Sequence, residues 1–246
     1  MKITWFGQSA FRLEIKNAVI LIDPFITGNP TCPVSVDEAS KGVTHIIVSH
    51  GHGDHLGDAP AISAKTGAPL ISNFEVASYA QKLGAKKTVD LNPGGERDIG
   101  PFRVALTQAI HSSSAEMDDG TSLYLGNPCG IVVMAENEPT IYHAGDTEIF
   151  SDMALINEFY APQIGMLPIG DNYTMGAKKA AVAAKRYFDF ESVIPMHYGT
   201  FPVLDQTPDK FIREMQGAKT KVLALKQGES VEIQKREMSS ATRGAA

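Results

Sequence analysis

The chain has 246 residues, 22 Lys+Arg against 28 Asp+Glu for a formal net charge of -6, and 43% hydrophobic residues, which excludes disorder and collagen-like repeats. At this length roughly 70–75% of the unfolded chain's surface can be buried, so a sizeable core is available without staples. The acidic balance, with no Lys/Arg cluster, lacks the electrostatic footprint of a nucleic-acid binder, and the longest apolar-plus-Gly run, Cys129 to Ala135, falls far short of the roughly 20 residues a spanning helix needs.

Met1 to Phe6 runs straight into alternating residues with no basic stretch before an apolar block, so no export signal is visible and a cytoplasmic setting is expected. Cys32 and Cys129 form neither a disulfide framework nor a CxxC clip, in keeping with a reducing compartment. β-patterned runs come first: Lys2 to Phe6, Ala10 to Ile15, Val19 to Ile22 and His45 to Val48, broken by Gly7, Asn17 and the Pro24 to Pro33 turn region. Helical patterns follow at Asp58 to Lys65 and Phe74 to Leu83, with strands at Pro69 to Ser72 and Lys87 to Leu91. A second β-rich stretch covers Phe102 to Gln108, Ser122 to Leu125, Gly130 to Ala135 and Thr140 to His143. Helices at Asp152 to Phe159, Met175 to Phe188 and Pro208 to Met215 then interleave with strands at Ile164 to Ile169, Ser192 to Pro195 and Val222 to Leu225. Two sheets covered by outer helices fit this order. With no linker and no fixed-period repeat, the chain reads as a single domain over residues 1–238 with two halves of similar plan. A small, polar, mobile tail is expected from Ser239 to Ala246.

The central chemical signal is Ser49-His50-Gly51-His52-Gly53-Asp54-His55-Leu56, placed directly after the apolar run Ile46-Ile47-Val48. With His at 7 of 246 positions, three His and one Asp so spaced arise by chance on the order of 10⁻³ times or less. Alternate side chains of extended backbone share a face, so His50 and His52 can point together, while the glycines let the chain aim Asp54 and His55 elsewhere. One loop can thus feed two metal positions. A plain polar turn seldom needs three imidazoles, which leaves that simpler reading little weight. His111, Asp146 and His197 each follow a strand pattern, so each is a candidate ligand at a strand's C-terminal end.

His50, His52, Asp54 and His55 match the HxHxDH signature of the metallo-β-lactamase superfamily, which the sequence resembles, and His111, Asp146 and His197 match its later ligands in order. The segments Trp5 to Phe11, Tyr142 to Thr147 and Pro195 to Pro202 are similar to the branch of metal-dependent hydrolases related to ascorbate-phosphate lactonases. The likeness extends over nearly the whole chain, to about Val231; members of that branch often carry His where this chain has Gln8. It implies an α/β fold of four αββα layers, two mixed sheets with helices on the outer faces and metals at one edge between them. It assigns His50, His52 and His111 to one metal, Asp54, His55 and His197 to the other, and Asp146 as the bridge, with Asp54 and Asp146 taking part in catalysis. It also implies a homo-oligomer.

Imidazole and carboxylate ligands without thiolate suit Zn²⁺ first, then Mn²⁺ or Fe. Two dications less the charges of Asp54, Asp146 and a bridging hydroxide leave about +1 in the cleft, which attracts a small anionic substrate. The expected activity is that of a dinuclear metal-dependent hydrolase in which a metal-bridged hydroxide attacks a small ester, lactone or phosphodiester. Two alternatives stand beside it: a di-iron redox protein of the same fold handling oxygen or persulfide, and a metal-dependent binding protein without turnover.

Weaker features have simpler readings. Tyr173 and Tyr198 are substrate-binding or proton-donating candidates, each equally well explained as a packed aromatic. Asp23, closing a strand before Pro24, either supports the metal loop or caps a turn. His45 reads as a core or edge histidine, and His143 as a residue that either supports the ligands from behind or is structural. Thr174 is a candidate N-cap for the helix Met175 to Phe188, and the loop before it is expected to open beside the ligands. The alanines from Ala177 to Ala184 read as core packing.

Overall fold

In the computed structural model, which describes residues 1–235, the first half of the chain comprises β1 (Lys2–Trp5), β2 (Phe11–Ile15), β3 (Ala18–Ile22), α1 (Val36–Ala39), β4 (His45–Ile47), α2 (Gly53–Leu56), α3 (Ala59–Thr66), β5 (Leu70–Asn73), α4 (Phe74–Lys82) and β6 (Thr88–Leu91). The second half comprises β7 (Glu96–Asp98), β8 (Arg103–Gln108), β9 (Ser114–Glu116), β10 (Ser122–Tyr124), β11 (Cys129–Met134), β12 (Ile141–His143), α5 (Met153–Tyr160), β13 (Ile164–Pro168), α6 (Ala177–Tyr187), β14 (Ser192–Met196), α7 (Asp209–Glu214), β15 (Lys221–Val222) and β16 (Ser230–Glu232).

Two mixed seven-stranded sheets, in the orders β16-β1-β2-β3-β4-β5-β6 and β15-β14-β13-β12-β11-β8-β7, carry helices on their outer faces. Each has an antiparallel part, β16-β1-β2-β3 or β7-β8-β11-β12, and a parallel part, β3-β4-β5-β6 or β12-β13-β14-β15. Parallel neighbours need crossovers, and these supply the covering helices. Strand alternation divides the apolar residues between two cores. Ile20, Ile22, Ile47 and Ile71 point between the sheets with Ile131 and Val133, whereas Leu21, Ile46 and Leu70 point outward to Ile62, Val76 and Ala80 of α3 and α4. Ala180, Ala181, Ala183 and Ala184 of α6 are fully buried, as the alanine pattern predicts.

Several elements differ from the sequence reading. Residues Ser122 to Tyr124 do not join the second sheet; all three are exposed and pair with β9 as a separate hairpin. The helix α6 begins at Ala177 with Gly176 as N-cap and no side-chain cap, so Thr174 does not cap it; its hydroxyl donates to the Met175 carbonyl instead. The strand expected at Val222 to Leu225 is only the two residues of β15, which lies at the edge of its sheet. Inside the expected polar turn of the His-rich motif lies the short helix α2, with His52 as its N-cap. The expected tail from Ser239 to Ala246, and the last residues of the 1–238 span, lie outside the described residues.

Candidate metal centre

The loops that leave the C-terminal ends of β3, β4, β8, β12 and β14 converge at one edge of the two sheets, the side on which open α/β sheets expose loop residues. His50 and His52 follow β4, and their rings meet with His50 Nε2 and His52 Nδ1 2.9 Å apart. His111, three residues past β8, closes this group, its ring 5.3 Å from that of His50 and 5.1 Å from that of His52. The turn of α2 aims Asp54 toward His197, which follows β14, and sets His55 between the two sides, its ring 4.1 Å from that of His50 and 5.7 Å from that of His197. Ligand atoms fall into three groups, each within 4.8 Å: His50, His52 and His111; His50, His55 and Asp146; Asp54, His55 and His197. Asp146 lies between the outer two, with Oδ1 3.2 Å from His55 Nε2, and Oδ2 3.1 Å from His197 Nε2 and 3.5 Å from His111 Nε2.

All seven residues expected as ligands from the sequence are therefore brought together. Two backbone features make this packing feasible. Gly145 adopts φ +60°, and a Cβ there would come within 2.7 Å of the Cys129 carbonyl oxygen and 3.0 Å of Ser49 Cβ, so only glycine lets the loop carry Asp146 against the His motif. His197 itself has φ +58°, and its carbonyl fills the space where a side chain at position 170 would begin, which requires Gly170.

Burial and charge set the protonation of the cluster. Burial, followed by the neighbouring His55, pushes His50 well below the usual imidazole range; burial likewise lowers His52 and His111. These three rings are neutral and offer lone pairs, the form a cation requires. Burial also acts to lower His55 and His197, but the carboxylates of Asp146 and Asp54 outweigh it, raising His55 well above its ordinary value and His197 to about 9. For Asp54 and Asp146, burial is outweighed in turn by those same imidazoles, which hold both carboxyls well below the ordinary range. Protons on His55 and His197 thus occupy the place of positive charge between two carboxylates. His55 Nε2 and Asp146 Oδ1, both buried and 3.2 Å apart, attract each other without forming a well-aligned hydrogen bond, a cost that a cation seated between them removes. The all-nitrogen and all-oxygen donor set and these poorly paired atoms fit divalent metal ions.

Asp23 is fully buried behind the motif: Ser49 N and Oγ donate to its carboxylate at 2.7 and 2.6 Å, and His55 Nδ1 lies 2.8 Å from Oδ2. Of the two readings of this residue, support of the metal loop is the one its contacts fit. His143 is buried with Nε2 3.1 Å from the Ser9 carbonyl and Nδ1 accepting from Gly145 N, so it braces the Asp146 loop from behind. His45 packs edge-on against Phe102 with Nδ1 on Thr44 Oγ1 and takes no part in the cluster. Tyr198 is buried against the indole of Trp5, ring centres 5.2 Å apart, and burial, then Asp209, raises its phenol to about 12. Tyr173 is 61% exposed in the loop after β13, which adjoins the centre where Met175 N donates to the Thr147 carbonyl. Sequence reasoning assigned no role to Gln8, whose Nε2 donates to Asp54 Oδ2 at 2.8 Å; nothing in its own turn signals that contact.

Residues 19–198, well over half of the chain and the whole of the convergent cluster, match the Beta-lactamase superfamily domain. The chain is also 57% identical over 222 residues to a UPF0173 metal-dependent hydrolase of Methylocella silvestris, covering 90% of this chain and 95% of that one. It belongs to the metallo-β-lactamase superfamily, among the UPF0173 metal-dependent hydrolases. A solved structure, the metallo hydrolase Igni18 from the archaeon Ignicoccus hospitalis, aligns with TM-score 0.85 and 35% identity over 96% of this chain and 99% of its own. The isothiocyanate hydrolase from Delia radicum gut bacteria has the same fold, with TM-score 0.77 and 22% identity over 95% and 99% of the two chains. This UPF0173 member is a metal-dependent hydrolase with His/Asp clusters able to hold metal. None of its described helices is long and apolar enough to cross a membrane.

Proposed function

We propose that this UPF0173 hydrolase uses two divalent cations, zinc first among them, to hydrolyse a small anionic ester, lactone or phosphodiester. The observation that carries the reading is the pair of ligand groups, His50–His52–His111 and Asp54–His55–His197, with Asp146 within 3.5 Å of nitrogens from both. When bound, such a pair lowers the pKa of a water toward ~7 and polarises a carbonyl or phosphoryl oxygen. The chain's residues supply the rest. Asp146, ionised and buried, is the shared carboxylate between the two positions. Asp54, partly open to solvent and held ionised, is placed to accept a hydrogen bond from an incoming water and so orient it. His50, His52 and His111, kept neutral, hold their position without consuming protons as pH falls toward neutrality.

The lactone in this substrate class rests on the likeness of Trp5 to Phe11, Tyr142 to Thr147 and Pro195 to Pro202 to ascorbate-phosphate lactonases. The unpaired Cys32 and Cys129 support a reducing, cytoplasmic setting, and we include a homo-oligomer of this chain in the proposal on family likeness. The test is a screen of metal-reconstituted protein over lactones, esters, thioesters and phosphodiesters, with metal content measured on the same samples and His50→Ala as control. Turnover by the parent, at least about 10²-fold above the variant, with two cations per chain, is the expected result. Equal rates in parent and variant, or stoichiometric iron with no hydrolysis, would overturn it.

A further inference from the structure

Gln8 lies in the tight turn between β1 and β2, where Phe6 N donates to the Ala10 carbonyl and Ala10 N to the Gly7 carbonyl. Its backbone is left-handed, φ +49°, and its side chain is fully buried. Two of its groups reach the same part of the metal centre. The side-chain Nε2 donates to Asp54 Oδ2 at 2.8 Å, and the main-chain carbonyl accepts from His197 N at 2.9 Å and from the Trp5 indole at 3.0 Å. Gln8 is thus bonded to two members of the Asp54–His55–His197 group. Among the described residues no hydrogen bond joins it to His50, His52 or His111.

The two ends of this contact differ in how they are fixed. His55 and His197 are buried and their rings stack 5.7 Å apart, so packing holds them. The Asp54 side chain is 24% exposed, and packing alone leaves it able to rotate toward water. The Gln8 amide occupies one lone pair of Oδ2 and leaves that atom facing His55 Nε2 at 3.6 Å and His197 Nε2 at 3.7 Å. An amide is suited to this, since it donates at every working pH and adds no charge. Its other end, Oε1, is buried with no partner, a cost of about 1–3 kcal/mol that a residue present only for packing would not incur.

We propose that Gln8 is a positioning residue for the cation at Asp54, His55 and His197, setting how tightly that cation is held without affecting the one at His50, His52 and His111. This rests on the two-cation reading above. The test is stepwise Zn²⁺ binding to the full chain by competition with a chromophoric chelator, and the visible spectrum of the Co²⁺ form. Gln8→Met keeps the side chain's length and removes the donor; Gln8→Ala serves where methionine does not fold, and a thermal melt checks each. One of the two affinities is expected to fall about 10–100-fold and the other to stay within about threefold, the Co²⁺ spectrum changing in only one of its two increments. Gln8→His, which restores an N–H donor, is expected to regain most of the loss; a histidine variant as weak as methionine overturns the donor role. A parent that takes up a single Zn²⁺ overturns the two-cation reading and this proposal with it. A parent that takes up two, with the methionine variant unchanged in both affinities or weakened equally in both, overturns this proposal alone.

Discussion

Asp23 Oδ2 stands 2.8 Å from His55 Nδ1 with both side chains fully buried, although 32 positions separate them. The carboxylate holds the Nδ1 proton, and with it the ring orientation that turns Nε2 toward Asp146 and Asp54. Asp23→Ala removes the acceptor for His55, Ser49 N and Ser49 Oγ together. We expect a loss of about 1–3 kcal/mol for each donor left unpaired and a metal affinity about 10–100-fold weaker. Denaturant unfolding and chelator competition read the two effects, and a variant matching the parent in both would remove Asp23 from the centre.

Metal uptake is expected to release protons. His197, raised to about 9, and His55, raised well above its ordinary value, carry protons at pH 7.5 in the metal-free protein and must give them up to bind a cation; His50, lowered by burial, releases none. Calorimetry in buffers of different ionisation enthalpy should show release at pH 7.5 that declines as pH passes about 9. The corresponding stability of the metal-free protein is fully present below ~6.5, the unfolded value, and is lost as pH rises through about 9. A buffer-independent heat at pH 7.5 would contradict this assignment.

Gly145→Ala places a methyl against the Cys129 carbonyl and Ser49 at a positive φ. The expected cost is about 1–3 kcal/mol, with weaker metal binding because Asp146 is the next residue. Thermal melts with and without Zn²⁺ test it, and an unchanged melting temperature would show that the loop has room the geometry does not suggest.

Cys129 is buried beside the motif, its thiol donating to the Ser49 carbonyl at 3.1 Å, and burial raises its pKa to about 12. It should resist alkylation at pH 8 in the folded protein and become modified only on unfolding, while half-buried Cys32 reacts slowly under native conditions. Mass spectrometry after iodoacetamide treatment decides the matter; rapid native labelling of Cys129 would be the contrary result.

Much of this architecture could be read from the chain. The strands Lys2–Trp5, Phe11–Ile15 and Cys129–Met134 have runs of apolar or alternating residues long enough to identify them. Elements with weaker patterns escaped. β7 and β16 are short edge strands made mainly of charged and polar residues, defined by their pairing with β8 and β1. The helix α1 had a readable signal, the capping box formed by Ser35 and Glu38, directly after the Pro24 to Pro33 turn region. Tyr124 and its neighbours carry a β pattern, yet three exposed positions in a row have no face to bury in the main sheet.

The amino-acid order by itself determined which side chains could bind metal and that each stands just past a strand, because residue type and hydrophobic period are local properties of the chain. Only the folded structure decided that Asp146 lies between the two groups, that Asp23 and Gln8 stand behind His55 and Asp54, and that Tyr198 packs on Trp5. Those relations join positions from 32 to 193 residues apart. They arise from which strands pair and how the two sheets face each other, through short hydrogen bonds that leave no periodic trace in sequence.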